Sequence, residues 1–288
     1  MNSQPETNPC FEALLQYIKQ THNFDYTGYK RPSLLRRVQY RMDMIPIEGY
    51  SNYTNYLEKN PEEFRHLFNT IEINLTWFFR NASAWDYMAA NVIPQIIANK
   101  ISDEPIRAWS AGCASGEETY SLAILLAEAL GIEQFCSRVH IFGTDLDKDA
   151  ISQARQGSYR SNQVTGIPDY LLEKYFDKVN DCYVFRKDLR RYISFSQHNL
   201  IEDAPMSKID LLACRNTLIY LSLETQIRVM VRFHFGLKDN GFLFLGHTEI
   251  VPPEITSMFR GINYEHHVLT KLPKSLHPLL LVRALKRA

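Results

Sequence analysis

The chain has 288 residues, 45% of them hydrophobic, with 32 basic and 32 acidic side chains and a formal net charge of zero. That length can bury a full core and hold one large domain plus a small one, while neutrality excludes a global field that would recruit nucleic acid or an anionic membrane. No apolar run approaches the roughly 18 residues that span a bilayer, and Met1 to Thr7 holds no cationic segment leading into an apolar core, so no membrane insertion and a cytoplasmic protein are expected.

In chain order, Phe11, Leu14, Leu15 and Ile18 form a helical stripe, and a turn-rich break follows from Thr21 to Gly28. Pro32 then opens a second helix, with Leu34, Leu35, Val38 and Met42 on one face and Arg36, Arg37 and Arg41 on the other; Lys30 and Arg31 stand just before it. Segments 50–57 and 61–71 complete a small all-α domain over 9–73. A linker at 74–90 carries Asn74-Leu75-Thr76-Trp77-Phe78-Phe79-Arg80, in which aromatics can bury the segment while Asn, Thr and Arg present hydrogen bonds.

From residue 106 strands and helices alternate. Strands are expected at 107–113, 139–145, 192–196, 209–214, 241–246 and 265–271, and helices at 117–130, 147–156, 168–176 and 222–238. The apolar run Ile209 to Cys214 lacks alternation, as a parallel strand covered on both faces does. A small antiparallel β insert is expected at about 177–191, outside the main sheet. The domain closes near 272, and the tail 273–288, with leucines and four cations, reads as a short docked helix.

The strand at 107–113 runs through Gly112-Cys113-Ala114-Ser115-Gly116 straight into a helix at Glu117 and Glu118, and the next strand ends on Asp145. A turn of small residues lets a ligand approach the backbone, and an acid at the end of the following strand can hold two ribose hydroxyls. The turn is neither G-x-G-x-x-G nor a phosphate loop with its Lys. Two glutamates at the helix start would repel a phosphate but suit an ammonium or sulfonium, the charges of S-adenosylmethionine; the alternative is that they merely favour the first helical turn. Arg215-Asn216 and Asn199-Leu200 also follow strand ends and lie at the same sheet edge. The five cysteines (Cys10, Cys113, Cys136, Cys182, Cys214) have no C-x-x-C spacing and read as reduced, buried apolar residues, and no histidine stands at metal-ligand spacing, so no metal is expected.

Asn74-Leu75-Thr76-x-Phe78-Phe79-Arg80, Ser115-Gly116-Glu117-Glu118-x-Tyr120-Ser121, Gly143-Thr144-Asp145, His198-Asn199-Leu200, Arg215-Asn216-x-x-Ile219-Tyr220 and Gly246-His247-x-Glu249 together resemble the chemotaxis receptor methyltransferase family, CheR, over residues 10–272. The resemblance implies an α/β fold: a Rossmann-like class I methyltransferase sheet over 91–272, an N-terminal all-α domain and a small antiparallel β insert. It also implies methyl transfer from S-adenosyl-L-methionine to glutamate side chains of the cytoplasmic domain of a methyl-accepting chemotaxis receptor, leaving S-adenosyl-L-homocysteine. It assigns Asn74, Thr76, Arg80, Glu117, Asp145, Asn199, Leu200, Arg215 and Asn216 to the cofactor, and Lys30, Arg31, Arg36, Arg37 and Arg41 to the receptor. Arg80 and Tyr220 are the residues expected to aim the acceptor carboxylate. A catalytically weak S-adenosylmethionine-binding module that signals through a protein partner is the alternative.

The chain departs from the family pattern at Thr119, usually Pro, and at Ala114, often Ser; both lie at a helix start and leave the turn intact. The insert departs more. Family members that dock a receptor pentapeptide have a longer, glycine-containing turn there, whereas no Gly stands between Tyr175 and Phe185, so a pentapeptide tether is not expected.

Overall fold

The structure, a computed structural model, describes residues 8–72, 74–101 and 103–272; the expected tail helix at 273–288 lies outside them. The described residues divide into two units, one made of those before Asn74 together with Tyr220–Thr225, the other of those in Asn74–Ile219 and from Gln226 on.

The first unit is helical: α1 (Pro9–His22), α2 (Arg31–Asp43), α3 (Tyr50–Lys59) and α4 (Pro61–Ile71). Asn8 caps α1 by accepting the Cys10 amide at 3.0 Å, and proline occupies the first turn of α1, α2 and α4, where its missing N–H costs no helical hydrogen bond. Phe11, Leu14, Leu15 and Ile18 meet Leu34, Val38, Met42, Tyr53, Leu57, Leu67 and Ile71 in one core. Glu63 is buried in it and fully met, by Nε and Nη2 of Arg41 at 2.8 and 2.7 Å and by the Tyr53 hydroxyl at 2.8 Å. The segment Tyr220–Thr225 joins this unit through Lys30 N to Tyr220 O at 2.9 Å and Ser222 N to Gly28 O at 2.8 Å.

The second unit opens with α5 (Ala82–Tyr87), a π-helical stretch at Met88–Val92 and α6 (Ile93–Ala98). Then come β1 (Ile106–Ala111), α7 (Glu117–Leu130), α8 (Ile132–Arg138), β2 (Val139–Asp145), α9 (Lys148–Gln156), β3 (Ser158–Arg160) and α10 (Asp169–Tyr175). These lead into β4 (Phe176–Val179), β5 (Cys182–Phe185), α11 (Lys187–Arg190), β6 (Ile193–Gln197), β7 (Ile209–Cys214), α12 (Leu223–Gly236, in this unit from Gln226), β8 (Leu237–Leu245), β9 (Phe259–Asn263) and β10 (Val268–Lys271). Among the described residues, seven strands form the main sheet in the order β6-β2-β1-β7-β8-β10-β9. The first five run parallel, and β10 returns antiparallel between β8 and β9, the closing arrangement of a class I methyltransferase sheet. The order reverses at β1, which pairs with β2 on one side and β7 on the other, so the ligand crevice of such a sheet opens beyond the carboxyl end of β1. All of β7 is buried, as its unbroken apolar run requires, and Asp210 within it is met by Lys100 at 2.7 Å and by the Arg107 amide at 2.9 Å.

Several boundaries differ from the sequence expectations. β1 stops at Ala111, because Gly112 turns to φ +76°. α12 gives way at Gly236 to a β8 that starts at Leu237, and a bulge between the pairs Ile209↔Leu237 and Leu211↔Phe242 absorbs the polar run that resembles a loop in the sequence. The insert is a three-stranded sheet, β3-β5-β4, whose outer strand β3 lies far upstream of 177; α11 occupies the rest of the expected range. α8 and β9 have no counterpart among the expected elements. Cys10 is exposed rather than buried, whereas Cys113 and Cys214 are buried and all five cysteines are free.

Candidate functional site

The site is built at the carboxyl end of β1. The amides of Gly112 and Cys113 both donate to the Thr144 carbonyl, at 2.8 and 2.9 Å, which ties the turn to the end of β2. A Cβ on Gly112 would stand 2.3 Å from Thr217 Oγ1, and one on Gly116 (φ +97°) 2.9 Å from Ala154 Cβ, so both positions require glycine on space as well as on φ. Asp145 Oδ2 accepts the Ala114 amide at 2.8 Å and its Oδ1 the Asp147 amide at 3.0 Å. The strand-end acid thus also stitches the small-residue turn to the β2–α9 connection. Tyr159 locks the turn from beneath, its hydroxyl donating to the Ser115 carbonyl at 2.8 Å.

Around this turn four carboxyl groups are desolvated. Burial pushes Glu117, Asp145 and Glu249 above the usual carboxylate range and Glu118 up to about 7, each against partly offsetting hydrogen bonds. Ser115 Oγ donates to Glu117 at 2.7 Å, and Ser110 Oγ to Glu118 at 2.8 Å. A buried carboxylate in this state gains most from a cation, so the cluster is suited to a positively charged ligand.

The other expected residues are placed as follows. Asn74 donates its side-chain amide to Asp147, whose other oxygen caps α9 through the Asp149 amide at 2.7 Å. Thr76 lies on the same segment, and Arg80 stacks 4.3 Å over the Trp77 ring while donating to the Leu75 carbonyl at 3.2 Å. Asn199 is used locally, accepting the Ile201 amide at 2.9 Å and donating to Glu202 at 3.0 Å, with Leu200 beside it; the preceding His198 amide donates to the Asp145 carbonyl at 2.8 Å and holds this loop to the end of β2. Asn216 is left-handed at φ +59°, and its Oδ1 is buried with no hydrogen-bond partner among the described residues. Sequence reasoning misses Asp147 and Trp85: the Asp-x-Asp spacing at 145–147 is the available signal for the first, and nothing local marks the second.

In the first unit the five cations separate. Arg31 is held by Glu12 at 2.7 and 3.0 Å, and Arg41 by Glu63. Arg37, expected on the exposed face of α2, is buried instead: it donates to the Ile71 carbonyl and lies 4.4 Å over the Tyr220 ring. The reason is periodicity, since Arg37 falls three residues after Leu34 and beside Val38 on the inward stripe. Lys30 and Arg36 are exposed. Tyr220 belongs to this first unit and Arg80 to the second.

Residues 74–268 match the family model described as CheR methyltransferase, SAM binding domain, and residues 10–71 match that of the CheR methyltransferase all-alpha domain. The chain belongs to the CheR methyltransferase family. Among similar proteins, a chemotaxis protein methyltransferase of Salmonella typhimurium is 32% identical over 248 residues, covering 83% of each chain. One of Borreliella burgdorferi is 31% identical over 218 residues, 72% of this chain and 77% of the relative. An uncharacterized 104.1 kDa protein of Rhodobacter capsulatus is 30% identical over 271 residues, and there the match spans 94% of this chain but 28% of the relative.

The residues of this CheR-family site fit S-adenosylmethionine. Gly112 and Gly116 keep the turn free of side chains, Asn216 Oδ1 offers an unmet acceptor, and Glu117 and Asp145 are acids whose burial favours a cationic, hydroxyl-bearing ligand. Among the described residues no cluster of three or more His, Cys, Asp or Glu is placed to hold a metal, and no helix is long and apolar enough to cross a membrane.

Proposed function

We propose that this methyltransferase acts on glutamate side chains in the cytoplasmic helices of a chemoreceptor, forming glutamate methyl esters. The observation that supports this most is the pairing, in one chain, of the family's all-α domain with its SAM-binding domain. When bound, S-adenosylmethionine supplies an electrophilic methyl group on a sulfonium.

A glutamate carboxyl in water, with a pKa of about 4.3, is ionised at neutral pH, so the chain need supply no general base. Its residues instead hold and orient. In this reading Asp145 takes the ribose hydroxyls, Glu117 the amino-acid end, and Asn74, Thr76, Arg80, Asn199, Leu200 and Asn216 complete the cofactor site, with Arg215 behind the Arg80 backbone. Arg80 and Tyr220 orient the acceptor carboxylate, and exclusion of water favours the approach of two opposite charges. Lys30 and Arg36 would meet an acidic receptor segment directly, while Arg31, Arg37 and Arg41 fix the helices that present them. The domains proposed are 9–73, the linker 74–90 and 91–272, in a cytoplasmic protein.

The test is incubation with methyl-labelled S-adenosylmethionine and receptor cytoplasmic fragments. Label that enters the fragment, and is lost when its acceptor glutamates are changed to alanine, supports the reading. Cofactor binding without label in any fragment would favour the non-catalytic module instead.

A further inference from the structure

Arg215 directly follows β7, at the sheet edge where a side chain is expected to reach a ligand. Its guanidinium is closed in instead, 4.6 Å over the Phe244 ring and 5.5 Å from the centre of Trp85, and the residue is 6% exposed. Nη2 donates to the Arg80 carbonyl at 2.9 Å and to Asn81 Oδ1 at 3.1 Å, while Nη1 stands 3.9 Å from the Glu118 carboxyl. The Arg80 carbonyl takes a second hydrogen bond from Trp85 Nε1 at 3.0 Å, and the Phe79 amide donates to Ser121 Oγ at 3.1 Å. The turn held in this way has Phe79 at φ +51° and Asn81 at φ +64°. Asparagine enters this region readily, but a phenylalanine keeps left-handed backbone only where its surroundings over-determine it.

We infer that Arg215 is a positioning residue whose guanidinium works through the Phe79–Asn81 turn, setting where Arg80 leaves the backbone, rather than through contact with the cofactor. Glu118 holds the far side of the guanidinium, and Ser110 holds Glu118. The planar fork is what the geometry uses, because one nitrogen must serve two acceptors while its neighbour faces the acid. This inference rests on the reading of Arg80 as a ligand-facing residue.

The test compares Arg215→Met, Arg215→Lys, Arg80→Ala and the double variant Arg80→Ala with Arg215→Met. It uses two measurements on the full chain: hydrogen exchange of the Phe79–Asn81 amides without ligand, and calorimetric affinity for S-adenosylhomocysteine. Arg80→Ala keeps the carbonyl that Arg215 binds and removes only the side chain being placed. Arg215→Met is expected to speed exchange in the turn and weaken binding by about tenfold, Arg215→Lys to fall between, and Arg215→Met to add almost nothing once Arg80 is alanine. Losses that multiply in the double variant, or exchange unchanged by Arg215→Met, would overturn the inference. Faster exchange with an affinity that Arg80→Ala does not alter would bear out the strut and overturn the ligand role of Arg80. If Arg215→Met does not fold, the same comparison with Arg215→Lys decides between additive and non-additive losses.

Discussion

Asp145 accepts the amide of Ala114 across the mouth of the site at 2.8 Å, and Ala114 holds a left-handed φ of +46°. The acid therefore shapes the turn that, in the proposed reading, it shares with the cofactor. Asp145→Ala should weaken S-adenosylhomocysteine binding by roughly a hundredfold and cost about 1–3 kcal/mol of stability, since two backbone amides lose their acceptor. Asp145→Asn, which can satisfy one amide, should fall between. Calorimetry with urea unfolding separates the two effects, and unchanged affinity in Asp145→Ala would place the ribose elsewhere.

Glu118 makes a second prediction, in pH. Burial raises its carboxyl from 4.5 to about 7, so the folded chain holds that proton more tightly than the unfolded chain does. The stabilisation is complete below pH 4.5 and is lost as pH rises through about 7, up to roughly 3 kcal/mol for this one group. Glu118→Gln should flatten the fall in unfolding free energy between those limits. A residual slope from Glu117, Asp145 and Glu249, which are raised too, should remain. A slope as steep in Glu118→Gln as in the parent protein would contradict the assignment.

The basic helix supports two opposite outcomes. Reversing exposed Lys30 and Arg36 to Glu should slow receptor methylation several-fold at low salt, less at high salt, and leave cofactor binding intact. Arg37→Glu should instead destabilise the first unit by roughly 2–4 kcal/mol, because it buries a reversed charge where the Ile71 carbonyl was served. Thermal unfolding and methylation rates distinguish the cases. Methylation at the parent rate in the Lys30 and Arg36 reversal would leave the helix with no role in receptor contact.

What the sequence makes legible here is local. Proline starts, the Gly112–Gly116 turn and the unbroken apolar run of β7 each depend on a few neighbouring residues, and they can be read. β3 is three residues long and exists through pairing with Val184, Tyr183 and Cys182, a partnership no window around it contains. β9 is likewise defined by β10 across a bulge. Arg37 misleads because its charge outweighs its spacing, although the inward period of Leu34 and Val38 already includes it. The fork from Arg215 to Arg80 joins positions far apart in the chain, and only the fold brings them together.

The insert gives a fourth prediction. Its hairpin closes on Asn180 and Asp181, with Val179 and Cys182 paired and Asn180 at φ +54°, which leaves no flexible glycine arm beside the edge strand β4. Titration with a receptor C-terminal pentapeptide should show no binding in the micromolar range, about −8 kcal/mol, and removing that tail from a receptor should not slow its methylation. Micromolar binding together with tail-dependent methylation would reverse this.

Methyl transfer to a glutamate carboxylate is read directly by peptide mass mapping of a receptor cytoplasmic fragment treated with the protein and S-adenosylmethionine. Peptides should become heavier by one methylene, with the added mass on glutamate side chains and lost as methanol in mild base. Base-stable methylation on another residue type, or added mass on a small molecule alone, would contradict it.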